Sequence, residues 1–215
     1  MSKKKPAVLV IGAGGHARVL LDALARSGVS VAGLTDADAG KHGKLLAGIR
    51  ILGGDEVLVA HPPGSTVLVN AMGSTESMSL RTAVFERLKA AGYRFLTVTH
   101  PSAVVAPDAS LGEGAQIMAG AIVQPGSAVG ANSIVNTGAQ VDHDCRIGAH
   151  VHLSPGVTLS GTVTVGDGTH LGTAATVLQG LRIGRGCLVA AGSVVTADLA
   201  DGERVAGVPA RRMTP

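Results

Sequence analysis

The sequence predicts two architectures in one chain. A small parallel α/β domain with a Rossmann-like sheet occupies residues 1–100. A left-handed parallel β-helix of hexapeptide repeats follows over 101–198, with a C-terminal tail at 199–215. Three observations carry this expectation. Strand-like and helix-like stretches alternate in the first half. Every sixth residue from Val105 to Val195, sixteen positions in all, is Val, Leu or Ile. Aromatic residues make up only 1% of a chain with 31 glycines, which suits a narrow interior filled by small side chains.

The elements follow in order. Residues 7–12, AVLVIG, read as a buried strand running into glycines. Residues 16–28, HARVLLDALARSG, put Leu20, Leu21 and Leu24 on one helical face and stop at Ser27 and Gly28. Residues 29–34 give a second strand, 66–73 a third, and 79–92 a second amphipathic helix; a fourth strand is expected over 94–98. Strands alternating with helices argue for a parallel sheet. The stretch GAGGHA at 12–17 has Ala17 where a dinucleotide fingerprint has its last glycine. Its strand–turn–helix setting supports phosphate binding by helix N-terminal amides, with no indication of NAD; a purely structural turn is the alternative.

From Val105 the period of six takes over. Four residues after each aliphatic position stands a mostly small or β-branched one, among them Ala109, Ala115, Ser127, Cys145, Val157 and Cys187. Three hexads make one coil of a triangular prism, and Gly112, Gly130, Gly148, Gly166 and Gly184 recur once per coil, where the backbone needs either φ > 0 or close approach. The stretch VAGVPARRM at 205–213 leaves the register.

Other function classes recede. A net charge of +3 does not indicate a nucleic-acid surface. Lys3, Lys4 and Lys5 precede an apolar run too short for a signal peptide, and no run reaches membrane-spanning length. Two distant cysteines suggest no disulfide framework and fall at inward prism positions. The expectation is a cytoplasmic protein without membrane insertion.

Three of the 8 histidines fall in NTGAQVDHDCRIGAHVHLSPG, residues 136–156. His143 sits on a flat side of the prism between Asp142 and Asp144, either of which can orient its ring, and one coil later the same column holds Gly161. On these facts alone an exposed histidine in a polar patch is an equal alternative. His152 lies half a coil away and faces another side, so the two can meet only across neighbouring prisms. His170 shares the column of His152, and neither it nor His150 has a role. No two histidines have the five-residue spacing used by zinc-binding β-helical carbonic anhydrases, so no metal site is expected.

The hexads with NT…VDHDC…HVHLSPG, the ending GVPAR and the start VIGAGGHARVLLDAL together resemble the bacterial nucleotide-sugar acetyltransferases. That family includes N-acetyltransferases that make UDP-linked bacillosamine and GDP-linked perosamine, and sialic acid O-acetyltransferases. The resemblance implies a homotrimer with acetyl-CoA as co-substrate in the groove between prisms, and no permanently bound cofactor. The acceptor would be the C4 amine of a nucleotide-linked 4-amino-4,6-dideoxy sugar, with GDP-perosamine favoured; a UDP-linked sugar or a hydroxyl acceptor remains open. It implies His143 as general base oriented by Asp144. His152, Gly161 and Gly172 would meet acetyl-CoA, the glycines giving room to the pantetheine arm. Asn136 would lie near the sugar. In the nucleotide site Gly12, Gly14, Gly15 and His16 would meet the phosphates and Asp36 the base or ribose, with Gly73 and Ser74, at the end of the third strand, also binding the substrate. Members that bind uridine carry two adjacent acids after the second strand, whereas Asp36 and Asp38 are separated by Ala37.

Overall fold

The computed structural model describes residues 6–74 and 77–213; Lys3, Lys4 and Lys5 and the last two tail residues lie outside them. The first domain runs β1 (Ala7–Ile11), α1 (Gly15–Arg26), β2 (Gly33–Thr35), β3 (Leu45–Leu46), β4 (Ile49–Gly53), β5 (Thr66–Asn70), α2 (Ser79–Ala90) and β6 (Arg94–Phe95). The sheet order is β3-β4-β2-β1-β5-β6, parallel throughout except for the β3–β4 hairpin. The order reverses between β1 and β5, so their C-terminal ends open a crevice of the kind that receives ligands in such sheets.

Sequence and structure differ here at four places, one of them the third strand, which ends at Asn70 and not at residue 73. The hairpin strands β3 and β4 give no clear alternating signal and were not expected. The second strand shortens to Gly33–Thr35, although Ala32 N–H still reaches Val8 O. The expected strand over 94–98 divides: β6 joins the first sheet, while Val98–Thr99 pairs with Gln116–Ile117 in the prism.

The left-handed β-helix consists of two-residue strands on three flat faces joined by turns. From Val104–Val105 to Val194–Val195 the second residue of each strand is the aliphatic of the six-residue period. Ile117, Val135, Leu153 and Leu171 stack inside one face, and Val123, Val141, Leu159 and Val177 inside another. The once-per-coil glycines do not have positive φ. They permit close stacking instead: a Cβ on Gly112 would lie 2.5 Å from Ala131 N, and one on Gly166 2.6 Å from Arg185 N. The hexad register ends after Val195, yet Arg204–Ala206 still pairs parallel with Leu188–Val189, and Arg211–Arg212 turns back antiparallel to it.

Cys145 and Cys187 are buried in this core at 0% and 2% exposure, and burial raises the pKa of both thiols. A thiolate nucleophile is therefore disfavoured. Cys145 Sγ donates to Ser160 O at 3.3 Å and Cys187 Sγ to Ala200 O at 3.1 Å, partners that a serine hydroxyl can keep. The double variant Cys145→Ser, Cys187→Ser is expected to lose about 1–3 kcal/mol of stability while its turnover stays near wild type. Thermal unfolding and steady-state kinetics check this, and an acetylated cysteine competent for transfer would contradict it.

The domains share a core. Leu20, Leu21 and Leu24 of α1 cluster with Met118 and Ile134 of the prism. On α2, Arg81, Phe85 and Leu88 form a buried stripe at helical spacing, and the Phe85 and Phe95 rings lie 4.5 Å apart. This seam brings the crevice at β1 and β5 against one prism face.

Candidate active site

A cavity of about 640 Å³ opens at the seam. From the first domain come His16 and the segment after β5 with Gly73 and Ser74; from the prism come Asn136, His152, His170 and Gly172. One consistent hydrogen-bond direction runs along its wall. Thr137 N–H donates to Asn136 Oδ1 at 2.8 Å, which turns Asn136 Nδ2 towards His152 Nε2 at 3.0 Å. With Nε2 accepting, the His152 proton sits on Nδ1 and is donated to Ser74 Oγ at 2.7 Å. The Ser74 hydroxyl proton then points to His170 Nδ1 at 3.4 Å, and His170 Nε2–H donates to Ser154 Oγ at 3.0 Å.

Both prism histidines in this wall are neutral. Burial, the neighbouring His170 and His16, and the Arg81 charge push His152 down to about 3, against a hydrogen bond with the Ser74 backbone. Burial likewise lowers His170. His16 is pushed down to about 4 by burial and by Arg81, against its hydrogen bond with Gln116 Oε1 at 2.8 Å. These rings act as hydrogen-bonding walls at neutral pH rather than as cations.

Gly12, Gly14 and Gly15 gather at the β1–α1 turn. Gly14 caps α1 with no side-chain hydrogen bond, and no acidic residue stands in the first turn. The helix therefore presents free amides and an unneutralised positive end. No atom lies within 4 Å of a Cβ built on Gly14 or Gly15, so the space above that end is open. Asp36, expected beside a base or ribose, also serves the glycine turn. Its carboxylate already accepts from Ala13 N–H at 2.8 Å, Asp38 N–H at 2.9 Å and Lys41 Nζ at 3.0 Å. Burial opposes its ionisation, but these bonds prevail and hold it below the usual carboxylate range. In this arrangement Asp36 fastens the glycine turn.

His143 lies elsewhere, at the corner after strand Gln140–Val141, with 58% of its side chain exposed. Asp144 has φ +59°, a left-handed turn that aspartate tolerates better than most residues, and its Oδ2 accepts from His143 Nδ1 at 3.0 Å. That bond raises the histidine pKa; slight desolvation opposes it, and the Asp142 and Asp144 charges add to the rise. The imidazole fills the space over Gly161, where a Cβ would come within 2.6 Å of Cε1, so the notch expected at that glycine is occupied by the ring itself. The Gly161 N–H makes no hydrogen bond among the described residues.

The structure thus brings together His16, Gly73, Ser74, Asn136, His152 and Gly172, and keeps His143, Asp144 and Gly161 away from them within one chain. Gly172 also permits close stacking of coils: a Cβ there would sit 2.5 Å from Ala191 N in the next coil. Sequence reasoning missed Gln116, Ser154 and the involvement of His170, whose only signal was its column shared with His152. His150 also gains a place, bonding Asn132 Nδ2 at 2.9 Å and meeting Glu86 of α2 at 3.0 Å.

The family described as PglD N-terminal domain matches residues 7–88, and that of the hexapeptide repeat of succinyl-transferase matches 162–197. PerB from Caulobacter crescentus, solved in complex with CoA and GDP-perosamine, is 38% identical with a TM-score of 0.90, and 100% of each chain is covered. The chain belongs to the bacterial nucleotide-sugar acetyltransferase family. The acetyltransferase domain of PglB from Neisseria gonorrhoeae, solved with acetyl coenzyme A, is 35% identical with a TM-score of 0.89, covering 98% of this chain and 100% of that one. WeeI from Acinetobacter baumannii, 24% identical with a TM-score of 0.82, shares the fold over 97% of this chain and 100% of its own. No curated protein matches the sequence. The protein is an acetyl-CoA-dependent sugar N-acetyltransferase, with acetyl-CoA as co-substrate. No described helix of the acetyltransferase is long and apolar enough to cross a membrane.

Proposed function

We propose that the acetyltransferase moves the acetyl group of acetyl-CoA to the C4 amine of a GDP-linked 4-amino-4,6-dideoxy sugar, perosamine, with His143 as general base. The observation that carries the mechanism is the His143–Asp144 pair over Gly161. Asp144 holds the proton on Nδ1 and leaves the Nε2 lone pair free. The amine attacks the thioester carbonyl carbon, and Nε2 takes the proton it sheds. The unengaged Gly161 N–H is the group we assign to the oxyanion. Collapse of the tetrahedral intermediate breaks the C–S bond, and the proton held by His143 passes to the departing CoA sulfur. No acyl-enzyme forms.

The two halves of this site lie on different faces of one prism, so we assign the working site to a groove between copies in a homotrimer. One chain gives His143, Asp144 and Gly161; its neighbour gives the wall of Asn136, His152 and Ser74. Both nitrogens of His152 are engaged by Ser74 and Asn136. In this reading it lines the groove as a neutral surface where acetyl group and sugar meet.

The first domain recognises the nucleotide. The open, uncapped α1 terminus at Gly14 and Gly15 supports a diphosphate there. Gly14 has φ −98° and ψ −163°, which valine can adopt, so Gly14→Val should fold and fill the phosphate space. The KM for the sugar nucleotide is expected to rise about tenfold or more, the loss of one or two charge-assisted hydrogen bonds, with KM for acetyl-CoA little changed. Kinetics with each substrate varied in turn check this; the opposite pattern would reverse the assignment of the domains.

The acceptor itself is tested by incubating the enzyme with acetyl-CoA and a panel of GDP- and UDP-linked amino sugars and their hydroxyl counterparts. Mass spectrometry is expected to show a gain of one acetyl group on GDP-perosamine. Preferred acetylation of a UDP sugar or of a hydroxyl would refute that acceptor.

A further inference from the structure

We propose that Arg81 is a positioning residue for the sugar-facing wall: its guanidinium fixes segment 70–74 against the prism so that Ser74 engages His152. Arg81 is fully buried on α2. Its Nη1 donates to Asn70 O and to Met72 O, both at 2.8 Å, and its Nε donates to Asn132 O at 3.0 Å. One rigid fork therefore ties the last carbonyl of β5 and one carbonyl beyond it to one carbonyl of the prism. Ser74 lies two residues beyond Met72, and its hydroxyl bridges His152 and His170.

Neighbouring bonds converge on the same anchor. Gln116 Nε2 donates to Asn70 O at 2.7 Å, and Asn70 Nδ2 donates to Asn132 Oδ1 at 3.1 Å. Met72 N–H donates to Asn70 Oδ1 at 3.2 Å. Residues 71–74 belong to no helix or strand; Ala71 N–H still donates to Ile11 O at 2.8 Å, and beyond it these bonds hold the path. A packing role alone does not account for an arginine here. Beside Phe85 and Leu88 an apolar side chain would fill the volume without the cost of burying a charge. Among the described residues Arg81 has no carboxylate partner, and its Nη2 makes no hydrogen bond. What the guanidinium adds is the placement of three specific carbonyls.

The inference rests on the proposed function only for its kinetic consequence, and its test has a readout that does not need turnover. Imidazole ¹⁵N NMR of the ligand-free enzyme should show His152 as one tautomer with its proton on Nδ1. In Arg81→Lys, which keeps the charge but loses the fork, the two nitrogen shifts of His152 should converge as tautomers mix. The KM for the sugar nucleotide should rise about tenfold while that for acetyl-CoA changes by less than about twofold. Glu86→Gln, at the same seam but outside the fork, should leave tautomer and kinetics unchanged. A folded Arg81→Lys enzyme with the wild-type His152 tautomer would overturn the proposal. If Arg81→Lys does not fold, Ser74→Ala decides: a shifted His152 tautomer supports the link and an unshifted one overturns it. A shifted tautomer in an enzyme that acetylates no sugar nucleotide would uphold the positioning role and sink the proposed function instead.

Discussion

Replacing His143 by asparagine is expected to lower kcat by roughly 10²–10⁴, the usual contribution of a general base. The variant should keep its fold and its affinity for acetyl-CoA. The side chain is 58% exposed and packs over a glycine, so its removal leaves no buried cavity. The pH profile gives the same base a second signature. The base works when neutral, and the hydrogen bond it donates to Asp144 raises its pKa. Activity should therefore fall on acidification through a limb lying above the ordinary histidine value of about 6.5. Asp144→Asn should move that limb to lower pH. High salt should move it the same way, because the pair is exposed and screened. Near wild-type turnover in His143→Asn would mean that another group, or the amine itself, manages the proton.

Gly161→Ala is expected to lower kcat by about 10²-fold, the cost of misplacing a reacting group by about 1 Å. The added Cβ would stand 2.6 Å from His143 Cε1, so the ring must leave its place over the coil. Gly161 is not among the positive-φ residues, so alanine adds no backbone strain there. Thermal unfolding should stay close to wild type while single-turnover acetyl transfer slows. An unchanged rate would show that the position of the ring over Gly161 has no bearing on catalysis.

The prism was legible because its physics is periodic. A buried aliphatic is required at each strand, and a small residue wherever coils stack, so the period shows in the sequence without any long-range information. His143 and Gly161 could be paired for the same reason: eighteen residues bring a side chain back to its own column. The seam was not legible. Arg81 looks like one polar position in an amphipathic helix, and Gln116 like an ordinary outward residue of a hexad. Their roles depend on how one domain docks on the other, which leaves no local pattern. Asp36 shows the limit from another side. A carboxylate after the second strand invites a ligand role, and its bonds with Ala13, Asp38 and Lys41 within the fold leave no trace in the local sequence.

The central claim is that the catalytic base and the sugar-facing wall of each working site come from different copies of the chain. Mixing His143→Asn with His152→Ala subunits tests it directly. Each variant alone should be impaired. In randomly reassembled trimers about one groove in four pairs an intact His143 with an intact His152 from its neighbour. Activity should therefore return on mixing, up to roughly a quarter of the wild-type rate per groove. Native mass spectrometry would establish that mixed trimers have formed. Mixed trimers that remain as inactive as their parents would contradict the account.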